Sequence, residues 1–166
     1  GCEVGGALKN VMAIASGMAE GLGTGDNTRA AVITRGLAEL SRLGMAMGGQ
    51  LLTFSGLAGM GDLVATCISR QSRNRYVGEQ LGKGRTIDEI VAEMKMVAEG
   101  VKTSKVVVEV AEQYGVEMPI ATEIYHVVHE GMPAIEAYRG LVRRDAGTWR
   151  KVTARRVAGV TGGVTP

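Results

Sequence analysis

Between positions 7 and 22 the apolar residues Ala7, Val11, Ile14, Ala15, Met18 and Leu22 recur at intervals of three and four. That spacing gathers them on one side of an α-helix, whereas a strand would scatter them over both faces. Lys9 falls nearly opposite the stripe, on a face that carries the small residues Ala13, Ser16 and Gly17. A solvated helix face usually carries long polar side chains instead. A lone lysine on such a face reads first as a solvated charge, and its small neighbours fit equally well a close contact between helices.

The same period continues downstream. After the glycine-rich "GLGTG", Asp26 or Asn27 offers an N-cap for a long helix with apolar residues at Ala30, Ile33, Leu37, Leu40 and Met47. Glycines 56, 59 and 61 in "LLTFSGLAGMGDLVATC" predict a loop leading into a short helix. Thr86 and Glu89 stand at capping-box spacing, and "EGVKTSKVVVEVAEQYG" reads as helix from its length and its terminal Gly115, its valines notwithstanding. Pro119 and Pro133 open two more helices. The sum is an all-α domain of six to eight helices over residues 1–145, followed by a basic, flexible tail at 146–166.

At 166 residues the chain fits one domain with its own core. Nine methionines and few aromatic residues suit close helix packing. No apolar run approaches a membrane span, and a net charge of +2 is too mild to imply a nucleic-acid surface. Cys2 and Cys67 lie far apart without a CxxC pair, so neither a zinc site nor a disulfide framework is indicated and a cytoplasmic setting is expected. The chain lacks an initiating methionine and enters a helix almost at once, which reads as a piece of a longer protein.

Three groups of residues carry chemistry. Glu123 and His126 have a metal-site spacing, but the carboxylate-bridged sites that use it need a second copy, so no metal is expected and His126 and His129 read as ordinary histidines. "SRQSRNRY" interleaves Arg70, Arg73 and Arg75 with Ser72, Asn74 and Tyr76. Arginine grips phosphate with a planar fork, and Ser and Asn add neutral donors, so a small phosphorylated ligand fits the cluster, all the more if a helix begins there. An RNA-binding helical module that uses Arg70–Arg75 is the competing reading. Asp62, flanked by glycine, reads as an N-cap for "LVATC", as a group that orients an ammonium, or as both.

The ordered segments "GGALKN", "GLGTGDNTRAAVITRGLAE", "TFSGLAGMGDLVATC", "SRQSRNR", "VAEGVKTSK" and "VEMPIATEIYHVV" closely resemble the C-terminal, substrate-binding half of bacterial NAD(P)-dependent glycerol-3-phosphate dehydrogenase. The resemblance implies a helical domain of the 6-phosphogluconate dehydrogenase C-terminal type, which in the family follows an N-terminal Rossmann domain that this chain lacks. It implies interconversion of sn-glycerol 3-phosphate and dihydroxyacetone phosphate, with NAD or NADP held mainly by the missing domain. It further implies a homodimer, no nucleic-acid partner and a supply of glycerol 3-phosphate for phospholipid synthesis.

Residue by residue, Lys9 and Asp62 match catalytic positions, and Asn10, Thr66, Ser72, Arg73 and Asn74 match substrate-binding positions. Arg73 and Glu99 match positions on the cofactor side. On this reading Lys9 supplies a proton to the oxygen of the reduced ketone while Asp62 aims it, and the small residues at 13, 16 and 17 leave room for substrate and partner backbone.

Overall fold

The computed structural model describes residues 2–50 and 56–145. They form eight α-helices: α1 (Cys2–Gly21), α2 (Asp26–Ala46), α3 (Leu57–Ile68), α4 (Arg73–Gly82), α5 (Ile87–Glu93), α6 (Glu99–Gln113), α7 (Pro119–Glu130) and α8 (Ala134–Asp145). No strand occurs among the described residues. The expected tail at 146–166 lies outside them.

Helix α1 is the axis of the fold, packed by α2, α3, α4, α6 and α7. Its middle is buried all round: Leu8, Val11, Met12, Ala13, Ile14 and Ser16 are completely covered. A helix enclosed on every side needs small residues wherever a neighbour's backbone comes close. The face of Ala13, Ser16 and Gly17 therefore makes room for the backbone of a packed helix, as one part of the expectation had it, and the other part, that it leaves room for substrate, is corrected. A Cβ on Gly17 would collide with the Arg75 carbonyl on α4, and one on Gly78 would collide with the Ile14 carbonyl on α1. Ser16 Oγ donates to the Cys67 carbonyl on α3 at 3.2 Å.

Local signals end the helices as their chemistry requires. Thr86 and Glu89 form the reciprocal capping box of α5, Pro119 is the first residue of α7, and Gly131 closes α7 in the left-handed conformation at φ 72°. Two expectations fail. Gly25, with φ 83°, is the residue before α2, so Asp26 lies inside the helix and neither Asp26 nor Asn27 caps it. Glycines 59 and 61 lie within α3 and do not break it. A helical glycine costs about 1 kcal/mol relative to alanine, which packing against a buried helix offsets readily.

The first turn of α7 has no side-chain cap of its own. It is held from across the fold by the buried Glu39 of α2, whose carboxylate accepts the N–H groups of Ile120 at 2.7 Å and Ala121 at 3.3 Å. Elsewhere the first half of α1, the middle of α3 and the N-termini of α4 and α6 are linked side chain to side chain or side chain to backbone.

Candidate functional site

Lys9 and Asn10 are neighbours on α1, and each reaches to a different helix. Lys9 Nζ is paired with the Asp62 carboxylate on α3, and Asn10 Nδ2 donates to Glu99 Oε2 on α6 at 3.2 Å. The lysine side chain retains 24% of its exposure and the aspartate 54%, so the pair sits at the surface with its ammonium half sheltered. Asp62 is in mid-helix, which rules out the N-cap reading. Thr66, one turn later, donates its hydroxyl to the Asp62 carbonyl at 2.7 Å and so presents its oxygen on the same side of α3.

The turn before α4 supplies the next group. Ser72 is the N-cap of that helix, and its Oγ accepts the Arg75 N–H at 3.3 Å. Arg73 is the first helical residue, beside the unpaired N–H groups that every helix start presents. Asn74 is buried, and its Oδ1 accepts the Gly100 N–H at 2.8 Å, tying the start of α4 to the start of α6.

Two adjoining depressions open over these residues. Lys9, Gly6 and Thr103 line one, Ser72, Arg73 and Asn74 line the other, and Asn10, Thr66 and Glu99 line both. Of the residues singled out in the sequence, Lys9, Asn10, Thr66, Ser72, Arg73, Asn74 and Glu99 line these adjoining depressions, while Asp62 lines neither and joins them through its pair with Lys9. Arg75 is the exception within the arginine cluster. Two positions beyond Arg73 on a helix, it is turned inward, buried, and paired with Glu20 of α1. No contiguous basic strip Arg70–Arg73–Arg75 forms.

Thr103 escaped the sequence reading, although it follows Glu99 by one helical turn and was open to the same argument of spacing. Ser69 and Gln71 also line the cleft, in an exposed turn whose shape no periodicity announces. The histidines stand apart: His126 Nδ1 pairs with Glu130 Oε2 at 2.5 Å, and His129 Nε2 meets Ser104 Oγ at 2.9 Å. Glu123 is buried, with its carboxylate near Gly140 of α8, and the hydrogen bond of His126 goes to Glu130.

The family model for the NAD-dependent glycerol-3-phosphate dehydrogenase C-terminus matches residues 1–139. The chain belongs to that family. It is 57% identical over 147 residues to glycerol-3-phosphate dehydrogenase [NAD(P)+] 2 of Sphingopyxis alaskensis, covering 89% of this chain and 44% of that protein. It is 59% identical over 145 residues to glycerol-3-phosphate dehydrogenase [NAD(P)+] of a Geobacter species (strain M21), covering 87% of this chain and 43% of that protein. The crystal structure of glycerol-3-phosphate dehydrogenase from Coxiella burnetii superposes with a TM-score of 0.81 at 41% identity, over 86% of this chain and 44% of that one. The chain thus spans somewhat under half the length of these relatives. The matching part is the all-helical, C-terminal domain of the family.

Proposed function

We propose that this domain is the substrate-binding and proton-transferring half of an oxidoreductase that interconverts sn-glycerol 3-phosphate and dihydroxyacetone phosphate. The observation that carries the reading is the Lys9–Asp62 ion pair at the end of a cleft whose other end is the N-terminus of α4 with Ser72, Arg73 and Asn74. A small phosphorylated ligand needs an anion grip at one end. A ketone being reduced needs a proton source at the other.

The roles follow from side-chain chemistry. Arg73 takes the phosphate by its planar fork, with Ser72, Asn74 and the first N–H groups of α4 as neutral donors. Ser72 can do so while capping its helix, because its oxygen accepts from Arg75 N and its hydroxyl hydrogen remains free to turn. Asn10 and Thr66, at the junction of the two depressions, orient the carbon chain. Lys9 faces the reacting oxygen and Asp62 fixes the direction of its ammonium.

The nicotinamide group of NAD or NADP, held mainly by a separate Rossmann domain, supplies or accepts the hydride. Glu99 accepts one bond from Asn10 and is otherwise exposed, an acceptor that fits the NH2 group of an incoming carboxamide, and Arg73 offers its charge to the same side. On reduction, the carbonyl carbon gains a hydride and its oxygen gains the proton that Lys9 releases, which yields the secondary alcohol. On oxidation, Lys9 takes that proton back as the C–H electron pair departs.

The partners expected from this reading are the Rossmann domain and a second copy of the same protein in a homodimer. The setting is the cytoplasm, and the product glycerol 3-phosphate feeds phospholipid synthesis. No helix among the described residues is long and apolar enough to cross a membrane. Burial of Arg75 counts against an RNA-binding module, which would need the whole arginine cluster at the surface.

The test is an assay of the domain joined to its nucleotide-binding domain. Reduction of NAD(P) that depends on glycerol 3-phosphate is expected, whereas the 166-residue chain alone should show none. A joined, folded protein without that activity, but with tight RNA binding that falls steeply with salt, would replace this reading by the alternative.

A further inference from the structure

Glycine inside a helix weakens it, so each one asks what is gained by leaving out the side chain. Most helical glycines here answer from within the chain. A Cβ at Gly17, Gly21, Gly78 or Gly82 would run into the backbone of the facing helix. Gly5, Gly6 and Gly61 differ, because a Cβ at any of them would meet nothing within 4 Å. These three bracket the Lys9–Asp62 pair: Gly5 and Gly6 lie one turn before Lys9 on α1, and Gly61 immediately precedes Asp62 on α3.

Side chains on a helix lean toward its N-terminus, so Lys9 and Asn10 reach back over the turn that holds Gly6. Gly6 lines the same depression as they do, at the end away from Ser72–Asn74. Resting on the function proposed above, a ligand whose phosphate is held at Arg73 brings its reacting carbon to Lys9, and whatever lies beyond that carbon arrives over bare backbone. We propose that Gly6 is a specificity-determining residue, whose missing side chain makes room for the unphosphorylated hydroxymethyl end of a three-carbon ketone phosphate. The helical stability given up at this position is exchanged for space at the reacting end of the cleft.

The test compares two ketone or aldehyde substrates in the enzyme that carries this domain with its nucleotide-binding domain: dihydroxyacetone phosphate, and glycolaldehyde phosphate, which lacks the hydroxymethyl group. Gly6→Ala should unfold at the parent temperature or about 2–4 °C above it, since alanine is the better helix former and meets no neighbour. It should lower kcat/KM for dihydroxyacetone phosphate by about tenfold or more, mainly through KM, while the KM for the nicotinamide cofactor stays within about twofold. The penalty should shrink for glycolaldehyde phosphate, so that the ratio of the two kcat/KM values shifts by about tenfold toward the smaller substrate. An unchanged ratio overturns the inference, as does a loss confined to cofactor KM or a melting temperature several degrees below the parent. A parent enzyme that reduces neither substrate overturns the functional reading itself, which separates the two failures.

Discussion

Glu39 and Ile120 lie 81 positions apart, yet the carboxylate of one accepts the backbone N–H of the other at 2.7 Å in the interior of the fold. A carboxylate seldom survives such burial as an anion. Loss of water raises the Glu39 pKa from 4.5 to about 7, against the opposing pull of the Ile120 and Ala121 N–H groups and of Arg42.

Stability should therefore fall as pH rises through that window. Between 4.5 and about 7 the folded state holds a proton that the unfolded chain has released, so each pH unit costs about 1.4 kcal/mol, and below or above the window this group contributes no slope. Urea unfolding at about pH 5 and about pH 7 checks it against Glu39→Gln, which has no proton to lose. The parent should lose roughly 2–3 kcal/mol more than the variant over that interval. Equal slopes would remove Glu39 as the cause.

Two substitutions in the cleft should fail in different ways. In the enzyme joined to its nucleotide-binding domain, Lys9→Met keeps the aliphatic stem but not the proton, so turnover should drop by ~10²- to 10⁴-fold while substrate still binds. Arg73→Lys keeps charge but loses the fork and should raise KM more than it lowers kcat. Steady-state and single-turnover rates separate the two. Near-normal turnover in folded Lys9→Met would return Lys9 to a surface charge.

The contact between α1 and α4 should tolerate no added carbon. Gly78→Ala places a methyl group against the Ile14 carbonyl and the Met18 N–H, both backbone atoms that cannot rotate aside. A loss of about 1–3 kcal/mol or more is expected from thermal or denaturant melts, opposite in sign to the effect of alanine at Gly6. A Gly78→Ala variant as stable as the parent would show that the helices can part.

Cys67 should resist alkylation in the native protein. It is completely buried, and loss of solvent pushes its thiol up to about 12, with Arg29 pulling weakly the other way. The thiolate that reacts is therefore scarce at neutral pH. Peptide mapping after iodoacetamide treatment should find Cys67 unmodified until denaturant is added. Rapid native labelling would mean that α3 opens far more readily than its packing suggests.

Helix content was legible because the apolar period of 3.6 and the capping pairs are local, and Thr86 with Glu89 shows how far local chemistry alone can go. The cleft was legible through whole motifs: Lys9, Asp62 and Arg73 carry no periodicity that relates them. What stayed hidden was set by distant partners. Gly17 cannot disclose from its neighbours in sequence that the Arg75 carbonyl lies over it. Arg75 looked like a third cation beside Arg70 and Arg73 until the Glu20 carboxylate, 55 positions earlier, claimed it. Glycines 59 and 61 were misjudged as breakers because helix propensity is small beside the burial of α3.

Lys9 rides on α1 and Arg73 opens α4, and these two helices meet backbone to backbone through Gly17 and Gly78. Side-chain contacts can yield by a change of rotamer, but main-chain atoms in contact have no such freedom. On the proposed function, the separation between Lys9 as proton carrier and Arg73 as anion grip is thus a fixed gauge, set like the jaws of a locked caliper. A ligand with one carbon more between its phosphate and its carbonyl cannot be measured correctly by it: if the phosphate is seated, the carbonyl overshoots Lys9. Tolerance for other compounds must then come from the rim of the cleft, where single side chains can change without moving the jaws.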